Sequence, residues 1–157
     1  MSAHTTPLRT STRADLRPAL LATALLALAA PALASPPCQD PVFACTLEKG
    51  GKQVQVCEQG ARLVYAFGAP GQPPELRFER PRPAVRITPW NGMGHTYWSH
   101  LELDNGAWTY RLSASYERGD PVAPGQGSLT VLRAGQEARR LVCEPYSVRE
   151  RIEALAP

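Results

Sequence analysis

Of the side chains with intrinsic reactivity in this 157-residue chain, four are cysteines, Cys38, Cys45, Cys57 and Cys143. No C-x-x-C pair occurs among them, so the spacing of a zinc site is missing and disulfides are the expected state. His95 and His100 are the histidines beyond the N-terminal 34 residues. Their odd separation within one extended run puts them on opposite faces of a strand, where they cannot readily share a metal ion. A nucleophilic Ser or Cys would need one of them beside it and an acid to orient the ring, yet Asp40, Asp104 and Asp120 all fall in expected tails or turns. Glu75, Glu79 and Glu102 could serve a carboxylate pair, but no spacing brings two of them together. No cofactor is expected, and the reading is non-catalytic, with an envelope hydrolase of unknown chemistry or a purely structural secreted domain as the alternatives.

A second set of residues points to recognition. Trp90, Asn91, Gly94, Tyr97 and Trp98 fall within one short run, with His100 and Arg111 expected nearby on a polar sheet face. Aromatic planes, hydrogen-bonding groups and a glycine-bearing loop suit stacking on sugar rings or anchoring a partner protein. The plainer reading is that Trp90 and Trp98 cover the end or outside of a small barrel, while His100, Glu102 and Arg111 form a solvated cross-strand network.

The elements that must position these residues begin after an export segment. Arg9, Arg13 and Arg17 precede the apolar stretch 19–30, and Pro31-Ala32-Leu33-Ala34 supplies an A-x-A cleavage site. The apolar stretch is far short of the ~20 residues a spanning helix needs. The expected mature chain is therefore a single β domain, 35–157, with no stable membrane anchor after cleavage and a periplasmic or secreted location. Loss of residues 1–34 removes three Arg and one Asp, leaving 14 basic against 13 acidic side chains. Without a basic excess, nucleic acid is not an expected partner. An envelope protein or glycan is.

Runs of alternating or β-branched character recur every ~8–12 residues between Gly, Pro, Asn and Asp. They predict strands over 42–48, 52–58, 61–67, 75–80, 84–88, 95–103, 107–116, 128–133 and 137–143. The expected fold is all-β, an antiparallel barrel or sandwich of about eight strands. Ser147 and Glu150, at capping-box spacing, predict a short C-terminal helix to about Ala154. Gly50-Gly51, Asn105-Gly106 and Ala134-Gly135 read as hairpin centres. Centring on Asn105-Gly106 faces Leu103 to Trp108 and Leu101 to Tyr110 on an apolar side, with Glu102, His100, Trp98 and Arg111 on the other.

Centring on Gly50-Gly51 points Cys45 and Cys57 to opposite faces, which excludes one of the three pairings of four cysteines. Of the two that remain, Cys45 with Cys143 and Cys38 with Cys57 is preferred. Centring on Ala134-Gly135 leaves Cys143 on the wrong face, so a bulge or a longer turn is required there.

From Phe43-Ala44-Cys45 through Leu141-Val142-Cys143 the arrangement resembles, in outline, the periplasmic C-type lysozyme inhibitors. That family consists of eight-stranded antiparallel barrels that plug the lysozyme cleft with loop residues. Its loop motif is Ser-Gly, two intervening residues, then Tyr; Gly94 and Tyr97 match it, and Met93 stands at the serine position. The family's second, Lys-Gly-bearing motif is not recognisable. The resemblance implies an inhibitory binding role for Gly94 and Tyr97.

Overall fold

The structure is a computed structural model that describes residues 38–120 and 122–156. The expected export segment, 1–34, lies outside the described residues. All described residues belong to one compact unit, Pro36–Pro157.

All nine expected strands are present: β1 (Pro41–Thr46), β2 (Gln53–Gln59), β3 (Arg62–Gly68), β4 (Leu76–Pro81), β5 (Arg86–Thr88), β6 (Thr96–Asn105), β7 (Trp108–Glu117), β8 (Gln126–Arg133) and β9 (Gln136–Val142). A tenth, β10 (Arg149–Glu150), is additional to them. The strands form two antiparallel five-stranded sheets, ordered β10-β1-β2-β3-β4 and β5-β6-β7-β8-β9. The sheets are not closed into a barrel, which corrects that alternative and the count of about eight strands. One cluster of buried side chains draws on both sheets, including Phe43, Val54, Val56, Leu63 and Tyr65 from the first and Leu101, Leu103, Leu112 and Leu129 from the second. This is a sandwich-like arrangement. Its sheets meet at one corner, where Leu47 bridges Cys143.

The C-terminal helix is corrected to a 3-10 turn, Ile152–Leu155. The capping-box residues are used differently. Ser147 Oγ donates to Glu144 O at 2.7 Å, and Arg149 and Glu150 pair with Ala44 and Phe43 along the free edge of β1. A sheet edge with unpaired backbone groups outcompetes a helix too short to stabilise itself. Ile152 and Leu155 then reach the core.

Two hairpins differ in register from expectation while keeping the expected faces. Leu103 pairs with Tyr110 and Leu101 with Leu112, so the turn is Gly106-Ala107 rather than Asn105-Gly106. Gly106 has φ +63° and no positive φ occurs at Ala107, as in a type II′ turn. Cys45 likewise pairs with Val54, whereas centring on Gly50-Gly51 sets it opposite Val56. Both shifts are by two residues, and an even shift leaves every side chain on its face. Only Trp108 is displaced in environment: it is 36% exposed at the hairpin end, with the Arg133 guanidinium 5.2 Å from its ring centre.

In the β8–β9 hairpin the Ala134-Gly135 turn is as expected, with φ of +50° and +78°. A register shift between Val131 and Leu132 supplies the required bulge. The bulge returns Leu141 to the side of Leu129 and brings Cys143 inward. Cys45–Cys143 and Cys38–Cys57 are both formed, as preferred. Gly127 makes room for the first: a Cβ there would lie 2.8 Å from Cys143 Sγ and 2.7 Å from a Val148 methyl.

Candidate functional site

Alternation along β6 splits the expected site into two groups. Trp98, His100 and Glu102 face outward, whereas Tyr97 and Ser99 face the other way. The structure therefore does not bring Trp90, Asn91, Gly94 and Tyr97 together with Trp98, His100 and Arg111.

The first group builds a loop clasp. The Trp90 indole donates to Met93 O at 2.9 Å, and Asn91 Oδ1 accepts from the Met93 backbone at 3.1 Å. The Trp90 and Tyr97 rings are 5.3 Å apart, and Arg118 lies 4.9 Å from the Trp90 ring centre. Glu153 accepts from the Trp90 backbone at 2.9 Å and from the Tyr97 hydroxyl, which ties the β5–β6 loop to the C-terminal turn. The bond to Glu153, followed by burial, pushes the Tyr97 phenol up to about 12. Gly94 is exposed, with φ +89° and open space about its Cα. Met93, at 70% exposure, projects from the same loop.

The second group lies on an open groove of about 660 Å³ on the outer face of the second sheet, within the size range of small-molecule sites. Trp98, His100 and Arg111 all line it. The Trp98 and His100 rings, two residues apart on one face, stack at 5.0 Å with 27° between their planes. Cross-strand pairing then lays hydroxyls beside them: Trp98 pairs with Ser115, His100 with Ser113, Ser113 with Ser128, and Arg111 with Thr130. Gln126 and Arg140 extend this floor, and Glu48, Pro124 and Pro145 contribute to its lining. Sequence reasoning put Ser113 and Ser115 on the polar face without counting them in the site, and it missed Gln126, Ser128, Thr130 and Arg140. For those on β7 and β8 the signal was present as polar alternation, which by itself looks the same as a solvated sheet face; Arg140, on β9, carried no such signal.

One edge of the groove is held by charge. Glu102 accepts from Arg111 Nε at 2.5 Å and from Arg86 Nε at 2.9 Å, and Arg86 also donates to Asp104 at 2.7 Å. Burial raises the Glu102 carboxyl, but bonds from Arg111 and Arg86 outweigh it and hold the group below the usual carboxylate range. Bonds from Arg86 and Thr109 pull Asp104 down to about 2. His100 Nδ1 lies 2.9 Å from Ser113 Oγ. Burial and the Arg111 charge push this imidazole below its ordinary 6.5, with Glu102 opposing. The ring is thus neutral at pH 7, able to stack and to share one hydrogen bond.

Among the described residues, no group of three or more His, Cys, Asp and Glu side chains is placed to hold a metal ion, and no helix is long and apolar enough to cross a membrane. The class defined by these features is an all-β, two-sheet domain with two disulfides, a chemistry that suits an oxidising, exported environment. No family model, curated protein or solved structure matches the chain.

Proposed function

We propose that the chain is an exported, non-catalytic binding domain whose outer sheet face takes an envelope glycan. The observation that carries this reading is the stacked Trp98–His100 pair beside a floor of Ser113, Ser115, Ser128 and Thr130 in one groove. Flat rings offer an apolar face to the C–H side of a sugar, while short hydroxyls meet its hydroxyls with little side-chain entropy to lose. A groove with such a floor fits a narrow polar chain better than the broad apolar centre of a protein interface. The lysozyme-inhibitor resemblance has less support. The two sheets are not a closed barrel, and the Tyr97 hydroxyl is engaged by Glu153.

Calorimetric titration with solubilised peptidoglycan fragments tests the glycan reading. Trp98→Ala is expected to weaken binding about tenfold or more, as removal of an aromatic hot spot does. Trp90→Ala, outside the groove, is expected to leave it within about twofold of the unmodified protein. Equal binding by the Trp98 variant would refute the assignment.

One distance favours a second reading, acyl transfer, because His100 Nδ1 and Ser113 Oγ are within hydrogen-bond reach. Against it, Glu102 is committed to Arg111 and Arg86, and Ser113 sits mid-strand with both neighbouring strands paired to it, which leaves no free backbone donors for an oxyanion. Fluorophosphonate labelling that is lost in Ser113→Ala would favour the enzyme.

A further inference from the structure

A different cavity, on the inner side of the sheets, has an ordered chemistry of its own. It is a cleft of about 370 Å³ between inward-facing residues of both sheets. Leu47, Tyr65 and Leu129 at its floor are at most 2% exposed. Its walls are Phe67 and Leu76 on one sheet and Val131 and Leu141 on the other, all only partly covered by the core. Burying these faces is favourable at about 25 cal/mol per Å², and the sandwich leaves them open on this side.

The polar lining of the cleft has one sign. Lys49, Lys52 and Arg139 are its charged members. Lys52 is neutralised by Glu75 at 2.7 Å, whereas Lys49 and Arg139 have no carboxylate in salt-bridge range among the described residues. Both are exposed and line the same apolar slot, Lys49 from the β1–β2 loop and Arg139 from β9. An apolar body with a cationic mouth complements a ligand with an apolar tail and an anionic head.

We propose that this inter-sheet cleft binds a long-chain aliphatic carboxylate, its tail between Phe67, Leu76, Val131 and Leu141 and its carboxylate between Lys49 and Arg139. The site is separate from the outer groove and does not rest on the glycan reading.

The test uses the purified full chain and three probes of equal chain length: dodecanoate and dodecyltrimethylammonium below their micelle concentrations, and dodecan-1-ol below its solubility limit. Calorimetry is expected to show one dodecanoate site, the alcohol about fivefold weaker, and no binding of the cation. Charge reversal at the two surface positions, Lys49→Glu with Arg139→Glu, is expected to weaken dodecanoate about tenfold while changing the alcohol by less than about twofold. Val131→Trp, which fills the slot, is expected to abolish both. Circular dichroism checks that this variant folds, and the surface pair decides the question if it does not. Absence of dodecanoate binding, indifference to charge reversal, or binding that survives in a folded Val131→Trp protein would overturn the proposal.

Discussion

His100 shows how one residue's surroundings set both its chemistry and its effect on the fold. Its ring is half-buried between Trp98 and Ser113 and lies near the Arg111 charge. The folded state therefore holds a proton less well than the unfolded chain, where the group titrates near 6.5. Below that pH the unfolded state binds more protons, so stability falls as pH falls. The melting temperature is expected to drop between pH 7.5 and 5 more steeply in the unmodified protein than in His100→Gln. Comparison with this variant cancels other groups, including Glu150, whose carboxyl is raised by burial and acts with the opposite sign. Parallel slopes in the two proteins would contradict the account. The placement of Trp98, His100 and Arg111 on one face was legible in the sequence, because alternation along two paired strands determines it. The surroundings of Trp90 were not, because it lies in a loop whose path depends on Glu153, far along the chain.

At the scale of elements, turn residues carry strain and close approach that substitutions can expose. Ala134 adopts φ +50° in the β8–β9 turn, a region that penalises a Cβ. Ala134→Gly is expected to stabilise the protein by about 0.5–1 kcal/mol, measured as an increased urea midpoint with unchanged slope. Gly127 is the opposite case, because its neighbours leave no room for a side chain. Gly127→Ala is expected to cost about 1–3 kcal/mol, since the Cys143 sulfur and Val148 must both shift. The nine longer strands were legible from period and punctuation, and so was the need for a bulge before Cys143. Register was legible only modulo two residues, since Asn105-Gly106 and Gly106-Ala107 centring bury the same Leu101 and Leu103. β10 was hidden because two residues carry no period, and their pairing is decided by the free edge of β1 rather than by Arg149 and Glu150 themselves.

At the scale of the molecule, two cross-links of different span hold the sheets. Cys45–Cys143 joins residues 98 apart and ties β1 of the first sheet to the end of β9 in the second, while Cys38–Cys57 joins residues 19 apart. In the chain-entropy treatment the longer link stabilises by about 4.7 kcal/mol and the shorter by about 3.2. Chemical denaturation is expected to show Cys45→Ala/Cys143→Ala less stable than Cys38→Ala/Cys57→Ala by about 1.5 kcal/mol; the reverse order would contradict this ranking. The faces of β6 and β7 were readable locally, but closure was not. Whether two sheets seal into a barrel depends on their edge strands, and here β5 is only three residues long and the sheets touch through the Leu47–Cys143 bridge. The groove lies on the outer face of the second sheet. The most direct measurement is a nuclear magnetic resonance titration of isotopically labelled protein with peptidoglycan fragments, tracking backbone amides and indole N–H signals. The account predicts saturable shifts at the Trp98 indole, His100, Ser113, Ser115, Ser128 and Thr130, with Trp90 and Tyr97 unmoved. Shifts confined to the 90–97 loop, or none at saturating ligand, would contradict it.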